Sequence, residues 1–198
     1  MTIKFGWDAG HGGFKDNARK QYSTAGKRTP DGEPEWEFND IMGRAFEDEL
    51  STYSGIELKR FDDPTGKTDV PLQTRTNNAL AWGAEFYISF HHNALNSKWG
   101  THTGVETFTF TTPNTKSTAL AKAVHPALVQ GYGLRDRGIK KGNLHIVREM
   151  QRKLNKSTRK YEQTGIGVIL VEGGFMDSTI DIKKMRDKNV LINTGKLM

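Results

Sequence analysis

The segment Asp8–Gly13, with the sequence DAGHGG, constrains the fold of this chain more than any other. It directly follows residues 3–7 (IKFGW), a short apolar run that is typical of an opening β-strand. The glycines let the backbone turn sharply after the strand and leave room for a ligand beside His11. A histidine at such a strand end is well placed to hold a metal ion. We therefore expect a functional site at this edge of a sheet.

Two further segments place polar side chains after apolar runs. Residues 89–94 (SFHHNA) contain His91 and His92, and residues 171–176 (VEGGFM) contain Glu172. Polar groups at three separate strand ends are typical of a hydrolytic site in an α/β protein. Because the chain has no cysteine, a zinc ion would need histidine and carboxylate ligands. The residues alone indicate metal-assisted hydrolysis, with His11, His91 and one of Glu33, Glu35 or Glu37 as ligands.

Apolar runs alternate with helical patterns, and this alternation predicts an α/β fold. The predicted strands are Ile3–Asp8, Ile56–Phe61, Glu85–His91, Val105–Phe110, Leu144–Val147 and Gly167–Val171. Helices are predicted over residues 38–49, 72–83 and 120–128, with another beginning at Ser178 or Thr179. Asp69 is placed to cap the second helix, and Pro126 implies a kink or an early stop in the third.

Two polar segments, residues 15–34 and 151–165, are predicted to be loops, and the second is strongly basic. No internal repeat or low-complexity tract occurs, so residues 1–198 are expected to form one domain. The formal net charge of +6 fits either a solvated surface or attraction to a polyanion. No nucleic-acid-reading motif interleaves the basic residues with stacking aromatics, so a nucleic acid is not an expected partner.

The amino terminus has no apolar stretch of signal-peptide length. No segment approaches the run of about 20 apolar residues that a membrane span needs. We therefore expect synthesis in the cytoplasm without a signal peptide, and no insertion into a membrane.

The three segments DAGHGG, SFHHNA and VEGGFM together resemble the signature blocks of zinc-dependent N-acetylmuramoyl-L-alanine amidases, the amidase-3 group of peptidoglycan hydrolases. Residues 104–107 (GVET) and 136–140 (DRGIK) are further matches, and the blocks cover most of the chain in the family's order. The resemblance implies a twisted mixed sheet flanked by helices, with one zinc ion at the strand ends. It also implies cleavage of the amide between the lactyl group of N-acetylmuramic acid and L-alanine.

The resemblance assigns zinc binding to His11, Glu35 and His91, and catalysis to Glu172. His91 matches the second ligand because the family pattern is SxHxNA, which puts His92 in the variable place. Glu35 fits the third ligand best because it precedes an apolar helix with Phe38 three positions on, and Glu37 is the alternative. A carboxylate at Glu172 could take the proton of an attacking water and pass it to the leaving nitrogen.

The resemblance makes residues 1–198 a zinc amidase catalytic domain, without the separate wall-binding module that many relatives carry. The basic insertion before Gly165 departs from the family pattern. We expect a monomer whose partner is bacterial peptidoglycan, acting on the wall after release by phage lysis or autolysis. The alternative function is a zinc peptidase that cuts within the stem peptide, because the same metal chemistry serves both amide bonds.

Most other histidines are assigned structural roles. His92 would point away from His91 along a strand, which favours packing over metal binding. His102 is expected to be a solvated loop residue, whereas His125 and His145 are expected in a helix and a strand.

Four further polar residues lie close to the matched blocks. Asp8 and Asn93 could orient the imidazoles, although turn chemistry explains them nearly as well. Arg137 and Lys140 would either meet substrate carboxylates or belong to a solvated basic loop.

Overall fold

The computed structural model describes residues 2–16, 21–22, 28–155 and 157–198. Within these ranges the strands are β1 (Ile3–Ala9), β2 (Phe14–Asp16), β3 (Gln21–Tyr22), β4 (Ile56–Arg60), β5 (Phe86–Asn93), β6 (Val105–Thr109), β7 (Asp136–Lys141), β8 (Arg152–Asn155), β9 (Lys160–Gln163) and β10 (Gly167–Phe175). The helices are α1 (Glu35–Leu50), α2 (Leu72–Trp82), α3 (Thr115–Tyr132), α4 (His145–Gln151), α5 (Asp181–Met185) and α6 (Lys188–Leu197).

Six strands form the main sheet in the order β4-β1-β5-β10-β6-β7. The strands β4, β1, β5 and β10 run parallel to one another, so their carboxyl ends meet at one edge. Strand β6 runs antiparallel to β10, and β7 follows β6 in parallel. The sheet is therefore mixed, and the chain is confirmed as an α/β protein.

Alternating residues of the central strands enter two apolar cores. In β5 and β10, Ile88 and Ile169 belong to the core shared with α1, α3 and α6. Their neighbours Tyr87 and Val168 belong to the core on the other face, which includes residues of α2 and α4. Because both faces are covered, these strands read as continuous apolar runs in the sequence.

Five of the six predicted strands are confirmed, and the prediction over Leu144–Val147 is wrong. That segment enters α4, where Ile146, Val147 and Met150 are buried on one helical face. The sixth strand of the sheet is β7, in which four of the six residues are charged. His145 is accordingly the first residue of a helix and not part of a strand.

The basic segment 151–165 contains the hairpin β8–β9 and is not simply a loop. The segment 15–34 lies partly outside the described residues, and its described part includes the short pair β2–β3.

Helix α3 continues through Pro126 to Tyr132, so the predicted early stop is wrong. Asp69 does not cap α2, whose N-cap is Pro71, and its carboxylate instead lies 3.2 Å from the Arg75 guanidinium. No helix in the described part of the chain is long and apolar enough to cross a membrane.

The close approach of α6 to α1 depends on a glycine. A Cβ atom at Gly195 would lie 2.3 Å from the carbonyl oxygen of Met42, a backbone atom within α1. The backbone of α1 has no room to yield because Met42 is itself fully buried in the core.

We expect Gly195→Ala to lower the free energy of unfolding by about 1–3 kcal/mol, since overpacking outweighs the gain in helix propensity. Urea denaturation measures this difference. Lys196→Ala, at the next and exposed position of α6, is the matched control and should change stability by less than about 0.5 kcal/mol. An unchanged or higher stability of Gly195→Ala would show that the two helices can move apart without cost.

Candidate metal centre

The carboxyl end of β1 carries His11 into the cleft in an unusual backbone conformation. His11 has a φ of 68°, in the left-handed region that non-glycine residues rarely adopt. Arg75 of α2 holds this turn, since its guanidinium donates hydrogen bonds to the carbonyl oxygens of Ala9 (2.8 Å) and His11 (2.7 Å). The preceding amide of Gly10 donates to the carbonyl of Phe90 at 2.8 Å, which joins the turn to β5.

The imidazole of His91 lies directly against the backbone of Gly10. A Cβ atom at this position would fall 2.1 Å from Cε1 of the His91 ring. Any other residue would displace that ring, so glycine is required for the ring to approach the turn. The rings of His11 and His91 lie edge to face with centroids 5.0 Å apart.

Glu35, the first residue of α1, brings a buried carboxylate between the two imidazoles. Its Oε1 lies 3.0 Å from Nδ1 of His91, and its Oε2 lies 3.3 Å from Nε2 of His11. The backbone amide of His92 also donates to Oε1 at 3.1 Å. Three potential ligand atoms, one each from His11, Glu35 and His91, lie within 4.8 Å of one another. The structure thus brings together the three residues predicted to bind zinc.

The two histidines keep the buried carboxylate of Glu35 ionised. Burial alone would raise the pKa of Glu35, but His11 and the hydrogen bond with His91 lower it to about 2. Burial alone would lower the pKa of His91, but its hydrogen bond and charge interaction with Glu35 raise it. A carboxylate that stays ionised while nine-tenths or more buried is suited to a cationic partner.

The two other candidate carboxylates point elsewhere. Glu33 pairs with Arg186 at 2.7 Å, and Glu37 is exposed on the outer side of α1. Among the three acids considered, Glu35 is the one whose carboxylate contacts the histidines.

Glu172 reaches the same edge of the sheet from β10. It lies beside His91 of β5 in the strand register and opposite Glu106 of β6. A cavity of about 210 Å³ is lined by Glu172 together with His11, Glu35 and His91. The cleft thus has one partly buried carboxylate that is separate from the cluster of three residues.

His92 has a structural role, as its position in the strand predicts. Its ring is buried, with Nδ1 at 2.7 Å from the amide oxygen of Asn39 and Nε2 at 2.5 Å from the hydroxyl of Tyr132. Burial lowers the pKa of His92 to about 3, which keeps the ring neutral.

His102 lies in a loop, as predicted, but its side chain is mostly buried, so the prediction that it is solvated is wrong. Its Nε2 lies 2.7 Å from the carboxylate of Asp177, and its ring packs edge-on against Phe175. The same fully buried carboxylate accepts hydrogen bonds from the backbone amides of three consecutive residues, 95–97. This anchor fixes the loop 94–97, which forms one wall of the cleft.

Asp8 and Asn93 support the backbone around the histidines. Asp8 is buried and accepts a hydrogen bond from Ser89 at 2.5 Å, and its other oxygen lies 3.4 Å from the Arg75 guanidinium. The side chain of Asn93 accepts from the amide of Ala94, as a turn residue does.

Arg137 and Lys140 meet a carboxylate of the protein itself. Each lies 2.5 Å from an oxygen of Glu106, which is almost fully buried beside Glu172 in the sheet. Both cations lie on β7, so they belong to a strand and not to a loop.

Sequence reasoning missed Arg75, Asn39 and Asp177, which hold the cleft together. Arg75 and Asn39 lie in amphipathic helices, where a polar residue normally faces solvent. The guanidinium of Arg75 donates hydrogen bonds to the carbonyl oxygens of Ala9, His11 and Val70. This set of contacts depends on the tertiary structure, so no local sequence pattern predicts it.

We expect Arg75→Lys to lower the free energy of unfolding by about 2–4 kcal/mol, because an ammonium cannot reproduce the forked donor geometry in a fully buried position. Arg44→Lys is the matched control, since Arg44 pairs with Asp40 on an exposed helix surface. That substitution should cost less than about 0.5 kcal/mol in the same urea titration. Equal effects of the two substitutions would mean that the turn after β1 does not depend on Arg75.

Comparison with known proteins shows which family this chain resembles. A family profile described as N-acetylmuramoyl-L-alanine amidase (Amidase_3) matches residues 7–198. N-acetylmuramoyl-L-alanine amidase CwlM of Bacillus licheniformis is 31% identical over 139 residues, which are 69% of this chain and 46% of that protein. The sporulation-specific N-acetylmuramoyl-L-alanine amidase of Bacillus subtilis is 28% identical over 70% of this chain and 46% of its own length. The chain therefore spans about half the length of these relatives.

Solved structures share the whole fold. The amidase from Clostridium difficile 630 has a TM-score of 0.77 at 23% identity, covering 99% of this chain and 93% of that one. The catalytic domain of CwlV from Bacillus (Paenibacillus) polymyxa var. colistinus has a TM-score of 0.74 at 24% identity, covering 99% and 94%. The likeness therefore extends over almost the entire length of both chains. From its sequence match, this chain belongs to the N-acetylmuramoyl-L-alanine amidase family.

Proposed function

We propose that this protein is a zinc-dependent N-acetylmuramoyl-L-alanine amidase that hydrolyses the amide between the lactyl group of N-acetylmuramic acid and L-alanine in bacterial peptidoglycan. The observation that carries the proposal is the cluster of His11, Glu35 and His91, with Glu172 on the neighbouring strand. Membership of the family supplies the substrate class, and the cluster supplies a place for the chemistry.

The residues present fit a zinc ion. Two imidazoles and one carboxylate are ligands that catalytic zinc accepts, and they leave a further coordination position open. The three side chains enter from β1, β5 and α1, whose positions are set by the sheet and its packing against α1. Glu35 is 2% exposed yet ionised, so a cation between its carboxylate and the imidazoles would offset its burial.

When bound there, zinc would polarise the scissile carbonyl and make an attacking water more acidic. Glu172 would take the proton from that water and deliver it to the amide nitrogen, so that L-alanine leaves as a neutral amine and not as an anion. The apolar strand before Glu172 is buried on both faces, which fixes where its carboxylate emerges. Because Glu172 would transfer the proton, the carboxylate of Glu35 would be needed only to bind the metal.

The wall of the cleft formed by residues 94–97 would position the substrate beside these groups. Asp177 holds three consecutive amides of this loop, so its backbone is rigid before substrate arrives. Preorganised walls of this kind reduce the entropy lost on binding.

We expect His11→Ala and His91→Ala to weaken zinc binding by at least ~100-fold, since loss of a ligand exceeds the usual effect of altering an outer contact. Metal analysis of the folded, dialysed proteins measures bound zinc. His92→Ala is the matched control: it should lower thermal stability, because His92 bonds Asn39 and Tyr132 in the core, yet keep about one equivalent of zinc. Loss of zinc from His92→Ala with retention in His91→Ala would reverse the assignment.

Digestion of purified peptidoglycan tests the reaction itself. The wild-type protein should release stem peptides whose new amino terminus is L-alanine, identified by end-group labelling and mass spectrometry. Glu172→Gln should keep its fold and its zinc while slowing this release by roughly 10²–10⁴-fold, because an amide cannot accept the proton. New amino termini at other stem-peptide residues would identify a peptidase, and near-normal activity of Glu172→Gln would remove that residue from the chemistry.

A further inference from the structure

The hairpin β8–β9 concentrates the positive charge of the chain. Residues 152–163 contain five basic side chains and one acidic side chain, a surplus of four in a protein whose net charge is +6. None of the described residues 152–155 and 157–163 lines the cleft or belongs to either apolar core. A surface with this charge density attracts polyanions.

The base of the hairpin is firmly anchored to the fold. The buried side chain of Gln151 donates to the carbonyl of Thr112 at 2.6 Å, and Thr164 donates to the carbonyl of Met150 at 2.6 Å. The guanidinium of Arg152 stacks on Tyr161, 4.0 Å from the ring centroid, and also lies over Phe110. Arg152 therefore serves to join the hairpin to the domain.

The remaining described cations of the hairpin project into solvent. Lys153, Arg159 and Lys160 are exposed, and none forms an ion pair with a carboxylate among the described residues. The nearby carboxylate of Glu162 instead accepts a hydrogen bond from Asn155 at 2.7 Å. All four residues of β9 are exposed, so burial in the core does not account for this ribbon. An isolated two-stranded ribbon adds little stability of its own, which favours a role in binding.

The hairpin lies at the opposite end of the sheet from the cleft. Only residues 164–166 separate it from Gly167, where β10 begins, whereas Glu172 lies near the other end of that strand. Five residues of extended chain separate these positions by roughly 17 Å. A ligand held by the hairpin therefore lies away from the stem peptide whose amide occupies the cleft, and can be bound at the same time.

We propose that the β8–β9 hairpin is a second binding surface, which holds the repeated phosphodiester groups of an anionic polymer attached to the cell wall. Exposed lysine and arginine side chains bind phosphate oxygens through charge-assisted hydrogen bonds. A polymer with regularly spaced phosphates meets several cations at once without a shaped pocket. This inference rests on the proposed function only in that the polymer is sought on the wall that the enzyme would cleave.

Cosedimentation with purified Gram-positive sacculi tests this surface. One batch retains its phosphodiester polymers, and the other is stripped of them with hydrofluoric acid. The proteins are the wild type, Arg159→Gln/Lys160→Gln, and the control Lys188→Gln/Lys196→Gln, which removes two exposed cations from α6. Binding is measured on ice over a series of NaCl concentrations, and melting temperatures verify folding.

On intact sacculi we expect roughly tenfold weaker binding and a weaker salt dependence for the hairpin variant, with the control within about twofold of wild type. On stripped sacculi the wild type and the hairpin variant should bind alike. Equal losses in both double variants would mean that net charge alone matters, and that result overturns the proposal. A hairpin effect of the same size on stripped sacculi would overturn the phosphodiester assignment.

Release of L-alanine amino termini from stripped sacculi separates the two proposals. All three proteins should release them at the same rate, because the hairpin lies outside the cleft. If binding depends on the hairpin but no L-alanine amino termini are released, only the proposed function is overturned. If the termini are released normally but binding does not depend on the hairpin, only the second binding surface is overturned.

Discussion

The buried guanidinium of Arg75 is the interaction on which the geometry of the cleft depends. It reaches from α2 to the carbonyl oxygens of Ala9 and His11, and the nearby carboxylate of Asp8 offsets its charge. Burial alone would lower the pKa of Arg75, but the carboxylates of Asp8, Asp62 and Asp69 raise it. The side chain therefore stays charged without access to water. The left-handed backbone of His11 persists because this side chain holds it, as strained conformations at functional sites require.

The neighbouring histidines of β5 show how one strand serves both the cleft and the core. Alternation along the strand sends His91 toward Glu35 and His92 into the core beneath it. Glu35 joins the two, because one of its oxygens contacts the His91 ring and accepts the backbone amide of His92. A shift of register by one residue would send the His91 ring into the core and the His92 ring into the cleft, so the packing of the core also protects the arrangement in the cleft.

Much of this arrangement was predictable from the sequence, because its strongest signals are local. The buried strands read as apolar runs, and the residues that follow them, His11, His91 and Glu172, meet at one edge for topological reasons. Strand β7 was missed because an edge strand with four charged residues lacks the apolar signature. The anchoring role of Asp177 was missed because its four partners lie about 80 residues earlier in the chain. Buried polar groups need hydrogen-bond partners, but when these partners are distant in the sequence, only the complete fold shows which they are.

Strand β10 runs from the hairpin β8–β9 at one end of the sheet to the cleft at the other. Eight of its nine residues are buried, and the side chains from Val168 to Val171 alternate between the cores on the two faces of the sheet. In the proposed mechanism the cleft must be rigid, because proton transfer by Glu172 would need an atom held within hydrogen-bond reach of the substrate. Attraction between exposed charges has no such requirement, since it acts over a Debye length of about 8 Å. An exposed hairpin at one end of the sheet therefore does not need the positional precision that β10 gives to the cleft at the other.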